Sequence, residues 1–408
     1  VASGRSHVRS NDTEFGFRAD SDFVWLTACQ SEGAVLVMTP APGGHDAVLY
    51  LPEPVGPGQD AFYADALRGE LWIGPAADLA DWSSALDLEV RSLDALDAAL
   101  EAAPSGALVA GAPEPRLPRR LEASAALAVA LSAAKLVKDV WEIAQLRAAV
   151  DATVAGFRAV AAELPAAVEF GGERWLQATF DRHARTFGNG VGYSTVVGSG
   201  PHAPTLHWTR CDGPVLPGHV VLVDAGVEAR SLYTADVTRT LPVDGTFSPA
   251  QREVHALVER AHRAAMSKVG PGASFRDMRS TAYESIATAL HELGILRVSV
   301  DEAMSPTGQQ HRRYLPCGTG HHIGLDVHDC ARIGDERYLD EPLRPGSVLA
   351  VEPGLYFHAN DLTVPPELRG IGIRIEDDLL VTETGHEVLS AALPIDAAGI
   401  EKWVAALR

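Results

Sequence analysis

Cysteine is scarce in this chain: Cys29, Cys211, Cys317 and Cys330 are the only 4 in 408 residues, and no two form a Cys-x-x-Cys pair. Neither a disulfide framework nor a thiolate zinc knuckle is available, so a reducing, cytoplasmic setting is expected. Basic charge is also short, with 34 Lys plus Arg against 54 Asp plus Glu and a formal charge of -20. That surplus favours solubility and repels phosphate backbones and anionic lipid, so no nucleic-acid partner is expected. The longest apolar run, 125–134, is too short to span a bilayer and continues into Lys135 and Lys138 in helical register, so no membrane partner is expected either. The chain opens at Val1 with neither an initiator methionine nor a basic-then-apolar leader, which leaves open a missing N-terminal segment and secretion.

Several catalytic signatures are missing as well: the His-Glu-x-x-His zinc helix, the Gly-x-Ser-x-Gly nucleophile elbow and the Gly-x-x-x-x-Gly-Lys-Ser/Thr phosphate loop. Gly198-Ser199-Gly200 is too short for a dinucleotide fingerprint and reads as a loop near the site. The length admits two or three domains, and the pattern divides into two unequal ones, 1–137 and 138–408. In the first, apolar runs at 35–38 and 47–51 flank the turn-forming 40–44, and 71–73 and 107–110 read as two further strands with Ala/Leu/Asp-rich helices between them. A small α/β domain follows from that alternation. Beyond it, Ile143, Leu146, Val150, Val154, Phe157 and Val160 mark one face of a helix expected to connect the domains. Two more helices are expected, one to 269 with Ser248 as cap and Pro249 in its first turn, the other over 274–293.

What the second half has in quantity is acid at the ends of apolar runs. The run 220–223 leads into Asp224-Ala225-Gly226, and the extended stretch 233–241 carries Asp236; a hairpin would bring the two together, although strand-end aspartates alone are more often turn-makers. Along Ile371-Gly372-Ile373-Arg374-Ile375-Glu376, period two puts the isoleucines on one face and Arg374 and Glu376 on the other, either as an ion pair or as part of a site. The run 348–351 ends in Glu352-Pro353-Gly354, a costly place for a carboxylate without a cation or donor nearby. Gly318 to Asp329 holds His321, His322 and His328 among small residues. Asp224, Asp236, His321, Glu352 and Glu376 together read as one dinuclear metal site, because four converging carboxylates repel unless cations lie between them. Hard oxygen donors plus one imidazole suit Mn first, with Zn, Co, Fe and Mg also admitted. Two such ions activate water and polarise a carbonyl, which amide hydrolysis requires.

These segments, with Val196-Val197-Gly198-Ser199-Gly200, Thr205-Leu206-His207-Trp208, Thr234 to Thr240, Val351 to Tyr356 and Arg369 to Asp378, resemble the proline-specific branch of the pita-bread metallopeptidases, the Xaa-Pro aminopeptidase (aminopeptidase P) family, across about 140–395. The resemblance implies an α+β architecture, with a C-terminal pita-bread domain preceded by a smaller α/β creatinase-like N-terminal domain. It implies that Asp224 binds one ion and His321 the other, that Asp236 and Glu376 bridge, and that Glu352 both ligates and relays a proton. By the same resemblance His207 and His328 hydrogen-bond the substrate, Arg374 holds a carboxylate among the ligands, and Asp22 and Trp72 of the first domain approach a catalytic centre, the tryptophan that of a neighbouring subunit. Trp72 as an ordinary strand aromatic in its own core is the alternative. A homo-oligomer, dimer or tetramer, acting on proline-containing peptides is implied.

Two departures from the family pattern stand out. Cys317 replaces a histidine common in relatives, which is expected to remove a donor near the substrate. The interval from Asp224 to Asp236 is one residue longer, which suggests a bulge between strands. The nearest rival activity is a prolidase restricted to Xaa-Pro dipeptides. A non-catalytic binding module and a metal-free creatinase-like amidinohydrolase share the scaffold, but neither needs four converging carboxylates.

Overall fold

Val220–Ala225 is buried along its whole length and forms the middle of a three-stranded antiparallel sheet between Val196–Ser199 and Val237–Pro242. β-branched side chains suit a strand covered on both faces, and only Asp224 breaks the apolar run. The computed structural model describes residues 1–102, 107–117, 121 and 123–408. Two compact units make up the chain, Val1–Leu131 and Ser132–Arg408.

In the second unit a four-stranded antiparallel sheet runs in the order Gly320–His322, Val348–Val351, Asp377–Val381, His386–Val388. Ala350 lies opposite His321 on one side and Asp378 on the other, so these three share a face. Glu352 is two residues beyond Ala350 and Glu376 two before Asp378, which by the strand period places both on that face. A bridge from Thr238 to Glu376 joins the two sheets, and Thr238 is itself paired with Asp224. Register alone thus collects the acidic residues.

Helices cover these sheets. Val140–Ala162 starts at Asp139 in a capping box with Glu142 and buries Leu146, Val150, Phe157 and Val160. It lies wholly within the second unit, the division falling earlier, inside Ala125–Lys135. Pro249–Met266 begins at Ser248 with Pro in its first turn, and Phe275–Glu292 begins at Ser274, as their cap residues predict. The core between helices and sheets draws on Phe157, Phe180, Leu222, Val237, Val258 and Ile373.

The first unit has a three-stranded sheet in which Val35–Ala41 pairs antiparallel with Gly44–Leu51, and that strand pairs parallel with Glu89–Ser92. Two expected strands are not there. Residues 71–73 fall in a single helical turn, Glu70–Ile73, closed by bonds from Ile73 N to Gly69 O (3.2 Å) and Gly74 N to Glu70 O (3.0 Å). A three-residue apolar run carries no period, so the local turn decides its shape. Of 107–110 only Val109 pairs, in one isolated bridge to Ala123. The expected bulge is absent too: the ladder from Val237 opposite Ala225 to Pro242 opposite Val220 has no register shift. The longer interval is taken up in the connection, where Leu232 adopts a left-handed φ of 69° and Gly226 lets Ala235 O approach so closely that a Cβ would stand 1.6 Å from it.

Arg239, 1 % exposed, ties this assembly from beneath. It donates to Thr238 O at 2.9 Å, Glu376 O at 2.6 Å, Asp377 Oδ1 at 2.6 Å, Leu393 O at 3.1 Å and Pro394 O at 2.9 Å. Replacing Arg239 by Met leaves Asp377 and several carbonyls without this donor, and removing one partner of such a buried pair costs roughly 3–5 kcal/mol. Urea unfolding of the metal-free Arg239→Met protein is expected to show that loss; a change below about 1 kcal/mol would contradict the assignment.

Candidate metal centre

Asp236, His321 and Glu376 each offer a donor atom within 4.8 Å of the others, and all three are buried. His321 Nε2 lies 3.3 Å from Asp236 Oδ2, 3.8 Å from Glu352 Oε1 and 3.9 Å from Glu376 Oε1. Its Nδ1 is 3.2 Å from His322 O, so Nδ1–H donates to that carbonyl, and Nε2, which carries a proton toward Asp236 in the metal-free centre, is the nitrogen left for a metal once that proton is displaced. Asp224 joins from the other side. The Tyr193 hydroxyl donates to Asp224 Oδ1 at 2.7 Å and also to Asp236 Oδ1. The two oxygens of Asp236 therefore face different neighbours, Asp224 through Tyr193 and His321 directly. All five residues singled out in the sequence converge.

Around them the strand positions supply donors. Arg374, 2 % exposed, pairs with Asp224 rather than with Glu376, and also donates to Thr238 Oγ1 at 3.0 Å and Tyr356 Oη at 2.9 Å. The Thr238 hydroxyl in turn donates to Glu376 Oε2 at 2.7 Å. Behind the centre, Asp236 N donates to Asp378 Oδ2 at 3.0 Å, while Asp378 Oδ1 is buried without a hydrogen-bond partner. Tyr193, Thr238, Tyr356 and Asp378 were not singled out from sequence. The Asp377-Asp378 pair immediately after Glu376 was the available signal, since two adjacent acids in an apolar strand need an explanation; nothing local marks Tyr193.

The electrostatics show an excess of acid. Burial, then Asp236, Glu352 and Asp224, hold Glu376 well above the ordinary carboxylate range. Burial likewise pushes Glu352 up to about 7 against the pull of His321 and Arg374, and raises Asp224 despite Arg374. Burial alone would lower His321, but its hydrogen bond to Asp236 and the charges of Asp236 and Glu352 raise it to about 9. Asp236 is lowered, because His321 and Tyr193 outweigh its burial. Four acids facing one arginine and one histidine are what divalent cations neutralise, and oxygen donors with a single imidazole suit hard or borderline ions.

His328 is exposed, with its ring 4.4 Å from that of His321; partial desolvation, then His321 and nearby His207, lower its pKa against the pull of Asp236. Cys317 is half-buried, and burial with the charge of Glu352 pushes its thiol to about 11. In the first unit Asp22 is buried in the opening turn of Ser21–Thr27, where its backbone N–H donates to Asp20 at 2.9 Å. Trp72 is 56 % exposed and donates its indole N–H to Tyr63 O at 3.0 Å, which removes the core role considered for it.

Paired sheets presenting four carboxylates and an imidazole to one buried point define a metal-dependent hydrolase of pita-bread architecture. The chain belongs to metallopeptidase family M24, whose model matches residues 144–383, and residues 1–108 match the aminopeptidase P N-terminal domain. It is 49 % identical to Xaa-Pro aminopeptidase 2 of Streptomyces coelicolor, over 99 % of this chain and 87 % of that protein. It is 34 % identical to the Escherichia coli Xaa-Pro aminopeptidase, over 98 % and 92 % respectively. Among solved structures, an Escherichia coli aminopeptidase P variant in complex with substrate superposes with a TM-score of 0.86 at 28 % identity, covering 100 % of this chain and 94 % of that one. Among the described residues no helix is long and apolar enough to cross a membrane.

Because Glu352 and His321 hold protons up to about 7 and about 9 in the metal-free centre, metal must displace those protons to bind. Raised values mean protons retained, so metal affinity rises with pH through this window and falls as pH drops below it. The increase in thermal midpoint on adding Mn2+ is expected to grow from pH 6 to pH 9, with calorimetry in buffers of different ionisation heats reporting proton release. A pH-independent increment without proton release would contradict the ligand assignment.

Proposed function

We propose that the chain is a dinuclear-metal aminopeptidase that hydrolyses the bond between an N-terminal residue and a following proline. The observation that carries this reading is the convergence of Asp224, Asp236, His321, Glu352 and Glu376 on one buried centre. Divalent ions held there supply activated water at neutral pH and polarise the scissile carbonyl. Two ions are favoured by the two-sided placement of Asp236, and Mn2+ is the proposed species, with Zn2+, Co2+, Fe2+ and Mg2+ as alternatives.

The chain's own residues divide the remaining work. Glu352, with 20 % of its side chain exposed, is the acid of the cluster placed for proton traffic. It takes a proton from the nucleophile and hands it to the departing proline nitrogen, which as a tertiary amide has no hydrogen of its own. His207 and His328 donate to the scissile carbonyl and the developing oxyanion. Arg374 fixes the orientation of Asp224. From the first domain, Asp22 and Trp72 serve the substrate side, and the exposed Leu71, Trp72 and Ile73 suit contact with a second copy, supporting a homo-oligomer, dimer or tetramer. Substrates are proline-containing peptides, and the proposed location is cytoplasmic.

Glu352→Gln is expected to retain metal by elemental analysis while kcat falls by roughly two orders of magnitude or more, the scale of a lost general acid–base. Near-normal turnover would sink that role. Paired assays on an Xaa-Pro dipeptide and a longer Xaa-Pro peptide separate aminopeptidase from prolidase, and cleavage of the dipeptide alone would decide for the latter.

A further inference from the structure

Glu173, fully buried in the first turn of Gly172–Phe187, lies outside the metal centre and gathers four donors on one carboxylate. Its Oε1 accepts from Ser199 N at 2.8 Å and pairs with His202 Nδ1 at 2.8 Å. Its Oε2 accepts from Trp208 Nε1 at 2.7 Å and Gly213 N at 2.8 Å. Glu173 N returns a bond to Gly213 O at 3.0 Å. Two backbone amides and an indole only donate, so this carboxylate is built into the site rather than left there by chance.

Those four donors belong to one loop. It leaves the strand Val196–Ser199 at Ser199, contains the short turn Gly200–His202 as its one regular element, and is held at its start (Ser199, His202), its middle (Trp208) and its end (Gly213). The His202 ring stacks on Trp208 at 3.9 Å, and the Arg210 guanidinium lies over the Trp208 ring, 4.1 Å from its centroid. Gly213 leaves room for the cluster, since a Cβ there would stand 2.4 Å from His202 Nδ1 and 2.9 Å from Glu173 Oε2. Next to Trp208 stands His207, exposed where the loop faces His328.

We propose that Glu173 is the positioning residue for His207: by fixing both stems and the middle of the 199–213 loop, it sets where the imidazole meets the substrate. This inference rests on the substrate role given to His207 above. The bonds of Glu173 go to the loop and not to the proposed metal ligands, so it acts through the loop.

Glu173→Gln keeps the shape but turns an NH2 group toward at least one of the obligate donors. Metal content is expected at the wild-type level, the Ser199 and Gly213 amides are expected to exchange hydrogen faster, and kcat/KM is expected to fall roughly tenfold or more, the scale of a misplaced catalytic group. A double-mutant cycle with His207→Ala separates positioning from general loss of fold. In the His207→Ala background the Glu173→Gln loss is expected to shrink below about twofold, because the group it positions is gone. Equal losses in both backgrounds, or no loss in either, would overturn the proposal while leaving an impaired His207→Ala enzyme as support for the His207 role. An unimpaired His207→Ala enzyme would overturn both. Should Glu173→Gln fail to fold, Trp208→Phe removes one donor while keeping an aromatic ring against His202. In the same cycle its loss is expected to shrink in the His207→Ala background, and equal losses would again overturn the proposal.

Discussion

Mutual repulsion among Asp224, Asp236, Glu352 and Glu376 is the constraint around which this protein is built. Burial first, and then like charges this close, raise the proton affinity of Glu376, Glu352 and Asp224, the alternative being for the acids to push apart. That alternative is resisted by the backbone. Each acid stands in a strand or one residue outside its end, where the neighbours are fixed by ladder bonds, and Arg239 clamps Thr238 and Glu376 through their carbonyls. A pocket of this kind stores unfavourable charge that a divalent cation relieves, so metal binding and stability of the centre are coupled.

The available positive charge is unevenly distributed, and that unevenness separates the roles of chemically similar groups. Arg374 sits on Asp224 and His321 on Asp236, which leaves Asp236 below the ordinary carboxylate range and Glu352 near 7. A carboxylate that prefers to stay charged suits a bridge between cations, whereas one whose proton affinity is close to neutral suits proton transfer. Neutral hydroxyls refine this pattern, Tyr193 donating to Asp224 and Asp236 and Thr238 to Glu376.

Much of this was legible in the sequence because strand periodicity is short-ranged. The alternation Ile371 to Glu376 shows its two faces without any knowledge of tertiary structure, and the structure buries all three isoleucines. Ser248-Pro249 and Ser274 announced their helices through local capping chemistry. What escaped depends on distant partners. Tyr193 matters only because two strands bring Asp224 and Asp236 to it, and the exposed turn at 71–73 resembles a buried strand by composition while lacking enough residues to show a period. Arg374 was read either as an ion-pair partner of its neighbour Glu376 or as part of the site holding a carboxylate, and the hairpin carrying Asp224 supplies that carboxylate.

The two histidines proposed for the substrate side, His207 and His328, pose a mechanical problem of their own: both are exposed, as the proposed contact with a peptide demands, yet a group in that role must be held in place. Close to each of them in the chain or the loop, a buried carboxylate gathers fixed partners. Next to His328, Asp329 is 1 % exposed, lies 3.3 Å from Lys138 Nζ and 3.6 Å from Lys135 Nζ, and its amide donates to His322 O at 2.9 Å. Near His207, Glu173 gathers four donors. The partners differ, ammonium groups in one case and N–H groups in the other, but both acids are buried and stand outside the five proposed metal ligands. Reach and rigidity are thereby assigned to different residues.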